Sequence, residues 1–264
     1  MTIIQAVILG AIQGVAEFLP VSSSGHLVVL KSIMSLQEVP QLFDIILHFA
    51  TLFVVIIVFR EIIIRLIKVL FRFLTRNLRE EDGGDLRLIG IVLLASVFTA
   101  ALGFAIEALD MGTHPKIVSG LFLLTAAILI TTRFTHGTRE YADLKVKDGV
   151  ITGIAQGFAV FPGISRSGMT IAAALGVGMD RKKAGEFSFI LSLPAILGAL
   201  LLEVKDFGTL LNTVSPLVLG AGFISAFVVG LFSLILLLRL IRGGKLYLFS
   251  IYLIPLGLLG IIFL

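Results

Sequence analysis

The sequence contains no cysteine and little charge, and both shortages limit what the protein can be. Without cysteine it forms no disulfides and offers no thiolate metal ligands. Only 14% of the 264 residues are charged, 58% are hydrophobic, and the mean hydropathy is +1.10, which excludes an ordinary soluble domain. The apolar runs are continuous rather than alternating, which excludes a membrane β-barrel. We therefore predict an all-α, polytopic helical membrane protein.

The N-terminal segment also lacks the features of a secretory signal. Residues 1–19 have neither a basic start nor a small-residue cleavage site, so they are not expected to be removed. The formal net charge of +4 carries little information, because basic loops are needed to orient membrane helices. We expect membrane lipids, and no nucleic acid, as partners.

Six apolar runs are long enough to cross a bilayer, whose core requires roughly 20 helical residues. They are 42–59, 88–107, 117–132, 187–203, 216–238 and 247–264. Two other apolar stretches are interrupted by Pro, Gly and Ser, one between 2–19 and the residues from Leu27, the other between 150–161 and 169–179. Broken runs of this length predict re-entrant helical hairpins, which enter the membrane and return to the same side.

The broken stretches contain a seventeen-residue segment that occurs twice. Gly10–His26 reads GAIQGVAEFLPVSSSGH and Gly153–Met169 reads GIAQGFAVFPGISRSGM, aligned without gaps by an offset of 143. Both copies begin with a small-xxx-small pattern of glycines, which allows helix backbones to approach closely. The chain is thus expected to be one integral membrane domain of two repeats, at approximately 1–140 and 145–264.

The order of the segments predicts that the two repeats have inverted topology. One hairpin and three spans per repeat place the second hairpin on the opposite face, so the hairpins meet near the midplane. Of the 21 Lys and Arg residues, 17 lie on one predicted face, in 60–87, 133–147, 180–186 and 239–246. By the positive-inside rule that face is cytoplasmic. We expect a multi-pass protein of the cytoplasmic membrane with both termini outside and the first hairpin open to the outer face.

Segment 60–87 has two interpretations. Its basic residues recur at helical spacing, which is typical of an amphipathic helix on the membrane surface. It could equally extend the first span into the cytoplasm.

The polar residues of the repeat suit phosphoryl-group hydrolysis. The candidate catalytic residues are Glu17, Ser23, His26 and Arg166. The candidate phosphate-binding residues are Gln13, Ser22, Ser24, Gly25, Ser165, Ser167 and Gly168. Backbone N–H groups at helix starts, flanked by hydroxyls, form a natural anion site, and a guanidinium binds phosphate through two N–H groups. An ion pair between Glu17 and Arg166 could also serve only to lock the hairpins together.

The roles of these residues stay open at this point. Ser23 or His26 could attack phosphorus, or activate a water that does so, and we narrowly prefer Ser23. Glu17 could orient or deprotonate the nucleophile, or bind a divalent cation. For His48, within the first span, a helix–helix hydrogen bond is favoured over contact with the site.

The motifs resemble those of a known family, the undecaprenyl-diphosphate phosphatases of the bacitracin-resistance type. The resemblance rests on QGVAEFLPVSSSGH and PGISRSGMT, and on FDIILHFATL and EFSFILSLPAILGA, which start at Phe43 and Glu186. It covers nearly the whole chain. It implies hydrolysis of a C55 polyprenyl diphosphate to the monophosphate with Mg²⁺ or Ca²⁺, in carrier-lipid recycling for peptidoglycan synthesis. The family's (E/Q)xxxE motif here begins with Gln13, which leaves Glu17 as its sole carboxylate and candidate metal ligand.

A polyprenyl-phosphate flippase or transporter is the main alternative. Inverted repeats with broken helices at the midplane are typical of transporters. Such a protein would need a substrate site but no nucleophile. A homodimer is compatible with either function.

Overall fold

The computed structural model describes residues 1–34, 41–107, 114–203 and 214–263, and these ranges contain helices and no strand. The last residue of the sixth predicted span, 264, lies outside them. The helices are α1 (Ile3–Phe18), α2 (Ser23–Ile33), α3 (Gln41–Val58), α4 (Arg60–Leu74), α5 (Gly83–Glu107), α6 (Pro115–Thr131), α7 (Val146–Phe158), α8 (Arg166–Gly176), α9 (Arg181–Glu203), α10 (Pro216–Arg242) and α11 (Phe249–Phe263). The predicted all-α class is confirmed.

Several helices are long and apolar enough to cross a membrane. Among the described residues α5, α9 and α10 meet this condition alone, as does α11 together with the 3₁₀ turn Leu246–Leu248 that leads into it. Helices α3 and α4 would form a fifth span if the bent pair were continuous. Helix α6 is apolar but has only 17 residues. The protein is therefore a polytopic helical membrane protein, and the count of six spans and two hairpins remains a prediction.

The structure favours the surface interpretation of segment 60–87. Helix α4 turns by 81° from α3, so it does not extend the first span. Apolar side chains project from one side of α4 away from the protein, with Phe71 65% and Leu74 70% exposed. On another side Arg65 donates to Asp85 at 2.6 Å. A helix with these faces, lying across the direction of its neighbour, suits the boundary between headgroups and acyl chains.

Helices of one repeat pack mainly against helices of the other. The bounds of α8 are those of α2 displaced by the offset of 143 residues. Helix α1 packs mainly on α10, and its counterpart α7 packs mainly on α5, so the first helix of each repeat lies against a long helix of the other. The pairs α3–α9 and α6–α11 also join the repeats. Neither repeat buries its apolar surface alone.

Glycines set the distance between these paired helices, as the small-xxx-small pattern predicts. A Cβ atom on Gly14 would lie 2.6 Å from the carbonyl oxygen of Ala226 in α10. A Cβ atom on Gly153 would lie 2.5 Å from the carbonyl oxygen of Ala95 in α5. Both contacts are with backbone, which cannot move aside as a side chain can. The first helical hairpin (α1 and α2) is therefore held close to α10, and the second (α7 and α8) is held close to α5.

We predict that Gly14→Ala lowers stability by roughly 1–3 kcal/mol, because the added methyl group would force α1 away from α10. Gly220→Ala is the matched control on α10, since a Cβ atom there meets nothing within 4 Å. The control should be neutral or stabilising by up to about 1 kcal/mol. Thermal unfolding of both variants in one detergent measures the difference, and equal midpoints would contradict the packing.

Candidate active site

The candidate active site lies where the end of α1 meets the starts of α2 and α8. Helix α1 ends at Phe18, and Leu19 is extended because it precedes Pro20, which disfavours the helical conformation of the residue before it. The chain then turns through Ser22, whose φ of 71° is in the left-handed region, and begins α2 at Ser23. Helix α8 begins at Arg166. The N-termini of α2 and α8 therefore lie at the same site. Each carries a positive partial charge, so together they favour the binding of an anion there.

Glu17 is the centre of this arrangement and is only 6% exposed. Its Oε2 atom accepts hydrogen bonds from the Ser23 hydroxyl at 2.8 Å and from the Gln13 amide at 3.0 Å. Its Oε1 atom forms an ion pair with the Arg166 guanidinium. Three other residues selected from the sequence, taken from both hairpins, therefore bond to the carboxylate of Glu17.

His48 of α3 belongs to the same cluster, contrary to the role favoured from the sequence. Its Nε2 atom lies 3.4 Å from Oε2 of Glu17. Its Nδ1 atom lies 2.8 Å from the carbonyl oxygen of Asp44 and must donate, because a carbonyl only accepts. His48 therefore contacts the site carboxylate. The sequence offered no local signal for this, since the contact joins two separate helices.

The turn of the second hairpin is fixed to the first. The backbone N–H of Gly163 donates to the Ser22 hydroxyl at 3.0 Å, and the Ser167 hydroxyl donates to the carbonyl oxygen of Phe18 at 3.0 Å. Together with the ion pair between Arg166 and Glu17, these bonds hold the two hairpin tips together. The hydroxyls of Ser22 and Ser167 thus have structural partners as well as their predicted role in phosphate binding.

The remaining predicted phosphate-binding residues differ in their surroundings. Ser165 caps α8 by accepting from the backbone N–H of Gly168 at 3.2 Å. A Cβ atom on Gly168 would lie 3.1 Å from Pro20, and one on Gly25 would lie 2.7 Å from the ring of Phe122, so both glycines allow close packing. Ser24 is partly exposed, and its hydroxyl lies 3.4 Å from that of Ser22.

His26 lies at the edge of the site, with neither ring nitrogen bonded to Glu17 or Arg166. Its Nδ1 atom is 2.7 Å from the carbonyl oxygen of Ser22, and its Nε2 atom is 2.8 Å from the hydroxyl of Tyr252 in α11. The sequence analysis missed Tyr252, which lies within a continuous apolar run and carries no local signal.

The donor set limits how a divalent cation could be held. No group of three or more His, Asp or Glu residues able to hold a metal occurs among the described residues. However, the Oε1 atom of Gln13 is buried and has no hydrogen-bond partner in that part of the chain. One carboxylate and one amide oxygen fit Mg²⁺ or Ca²⁺ when substrate phosphates supply the other ligands.

Comparison with known proteins identifies the family of this chain. A family model described as bacitracin resistance protein BacA matches residues 6–259. The chain belongs to the BacA family. The protein named undecaprenyl-diphosphatase from Treponema denticola is 48% identical over 258 residues, which cover 98% of this chain and 96% of that relative. Proteins of the same name from Borrelia recurrentis and Methanosphaera stadtmanae are each 40% identical, over 96% and 99% of this chain and 95% and 98% of theirs. The resemblance inferred from the motifs is confirmed.

Thr125 of α6 provides a test of how the second hairpin turn is anchored. Its hydroxyl donates to the carbonyl oxygen of Gly163 at 2.8 Å and accepts from the N–H of Ser165 at 3.2 Å. We predict that Thr125→Val costs about 1–3 kcal/mol of stability, because both buried groups lose their partner. Thr131→Val, on the same helix, removes an exposed hydroxyl and should have little effect. Thermal unfolding checks the pair, and equal losses would contradict the anchoring role.

Proposed function

We propose that this BacA-family protein hydrolyses undecaprenyl diphosphate to undecaprenyl monophosphate and inorganic phosphate, and so recycles the carrier lipid of cell-wall synthesis. One observation carries the proposal: the Ser23 hydroxyl donates at 2.8 Å to a buried carboxylate that also binds Arg166. A nucleophile and a phosphate-binding guanidinium thereby contact the same base. The relatives named undecaprenyl-diphosphatase, which match nearly the whole chain, support the same activity.

In the first step Ser23 attacks the terminal phosphorus of the diphosphate. A bond forms from its Oγ atom to phosphorus, and its proton passes to Oε2 of Glu17. The bond from phosphorus to the bridging oxygen breaks, and undecaprenyl monophosphate leaves. Arg166 has five N–H groups, so a bond to Glu17 leaves others for the phosphate oxygens. There the guanidinium offsets the charge of the transferred group.

In the second step a water hydrolyses the phosphoserine. The water oxygen bonds to phosphorus, its proton passes to Nε2 of His26, and the bond from phosphorus to Ser23 breaks. Ser23 recovers its proton from Glu17, His26 releases the proton taken from water to bulk water, and inorganic phosphate leaves. His26 follows Ser23 by three positions on α2, so their Cβ atoms are neighbours at roughly 5–6 Å.

Glu17 and Gln13 are the residues that would hold a divalent cation, the second through its unpartnered Oε1 atom. A bound cation would neutralise charge on the diphosphate oxygens. Because most of its ligands would come from the substrate, the protein needs only these two oxygens. Mg²⁺ and Ca²⁺ both suit such ligands.

The reaction is assigned to the outer side of the cytoplasmic membrane. The support is the distribution of basic residues, 17 of 21 of which lie in segments on the side opposite the predicted entry of the first hairpin. The polyprenyl chain would remain in the bilayer while the diphosphate reaches Ser23. A flippase would use the same anion site but would leave the bond between Ser23 and Glu17 without a role.

We predict that purified protein releases phosphate from undecaprenyl diphosphate and that Ser23→Ala and Glu17→Gln reduce the rate by about 10²–10⁴-fold, because each removes half of the nucleophile–base pair. Ser192→Ala is a matched control, since within the described ranges this buried hydroxyl bonds only to the carbonyl oxygen of Phe189 in its own helix. Rapid acid quench should trap phosphate on Ser23. Wild-type protein without hydrolysis in Mg²⁺ or Ca²⁺ would reject the enzyme in favour of a transporter. A parallel quench in base preserves phosphohistidine, which acid destroys, and phosphohistidine trapped there would show that His26 rather than Ser23 is the nucleophile.

Whether Gln13 binds the cation can be tested separately. A chelator should abolish hydrolysis, and Gln13→Met should raise the cation concentration for half-maximal rate by roughly 10-fold. Gln13→Glu should lower that concentration, since it adds a second carboxylate. Gln156 is the matched control, because it is the equivalent residue of the second repeat and its buried Oε1 is also unpartnered among the described residues. An equal shift in Gln156→Met would exclude a specific role for Gln13.

A further inference from the structure

Tyr252 is joined to the candidate site by a single polar contact. Its hydroxyl lies 2.8 Å from Nε2 of His26, 226 positions away in the chain. The two rings also stack, with centroids 5.8 Å apart and planes at 18°. The contact therefore joins α11, the last helix, to the first hairpin.

The partners of His26 determine which of its nitrogens carries the proton. The carbonyl oxygen of Ser22, 2.7 Å from Nδ1, can only accept, so Nδ1 must be protonated. In the neutral ring Nε2 then has a lone pair and accepts from the hydroxyl of Tyr252. The Ser22 carbonyl thus fixes the tautomer, and the Tyr252 hydroxyl, which can donate or accept, donates to the nitrogen left without a proton.

The ring of His26 is also held in one orientation. Phe122 of α6 lies on another side of it, with centroids 5.2 Å apart. Tyr252 is 49% exposed, so its hydroxyl can leave Nε2 without disrupting a packed core. Ser22 and Phe122 thus hold the His26 ring in place, whereas the hydrogen bond from Tyr252 can break and form again.

We propose that Tyr252 is a positioning residue for the second step of hydrolysis. It keeps Nε2 of His26 unprotonated and aimed until a water replaces its hydroxyl, and Nε2 then accepts the proton of that water as it attacks phosphoserine. Tyr252 itself neither contacts phosphorus nor gains or loses a covalent bond. This inference rests on the proposed phosphatase function.

The first test is spectroscopic and independent of activity. Nitrogen-15 NMR of labelled histidine, with His26 assigned by Gln substitution, should show the Nδ1-protonated tautomer in the wild type. In Tyr252→Phe the Nε2 resonance should move to the position of a nitrogen without a hydrogen-bond donor. Tyr247→Phe is the matched control, because Tyr247 lies against Arg133, 5.2 Å from its ring, and should leave His26 unchanged. An unchanged His26 spectrum in Tyr252→Phe would overturn the inference.

The second test separates the two chemical steps. In Tyr252→Phe the steady-state kcat should fall roughly 10-fold and KM should fall with it, because the base that activates water is misplaced whereas kcat/KM reports only the unaffected first step. The rapid initial release of undecaprenyl monophosphate should persist, since it requires only the Ser23 step. An equal fall of the initial release and the steady rate would show a general structural role and contradict the inference. If the wild type releases no phosphate, the proposed function fails, and if it forms no phosphoserine, the Ser23 step fails; in either case the NMR result still decides whether Tyr252 fixes His26.

Discussion

The buried ion pair between Glu17 and Arg166 is the interaction on which the rest of the structure depends. A carboxylate removed from water without a partner is very costly, and more so at membrane depth. Glu17 is 6% exposed and lies on the first hairpin, while Arg166 lies on the second. Neither hairpin can therefore bury its charge unless the other is in place. The crossed packing of α1 on α10 and of α7 on α5 brings them together.

The same ion pair accounts for a site that is both stable and reactive. Breaking a buried pair costs more than the pair contributes, because the remaining charge is left unpaired. A diphosphate avoids that cost, since it brings its own negative charge to Arg166 while Ser23, Gln13 and His48 remain around Glu17. Binding of the substrate and exposure of Glu17 as a base can thus occur in one event.

The sequence predicted those features that are encoded locally. The duplication, the helix breaks after Phe18 and Phe158, and the polar residues at membrane depth are all visible in a short window, and they led to Glu17, Ser23 and Arg166. Other features depend on angles and contacts between distant helices. The 81° turn between α3 and α4 leaves no mark in the apolar periodicity, because both helices have apolar faces on either side of it. His48 and Tyr252 lie within apolar spans, where a single polar group does not reveal which helix it will meet.

The divergence of the two copies has a physical reason. Ser23 and Arg166 are equivalent positions of the repeat, and both bond to Glu17, so the pseudo-symmetry axis must pass close to that carboxylate. Two arginines there would repel each other, and two carboxylates at 17 and 160 would each require a counter-charge in a medium of low dielectric. A symmetric pair could be a neutral scaffold but not a hydrolytic site. Instead, one acid (Glu17), one cation (Arg166) and one hydroxyl (Ser23) lie around the axis and form a single anion site. The proposed hydrolysis therefore requires the two copies of the repeat to differ.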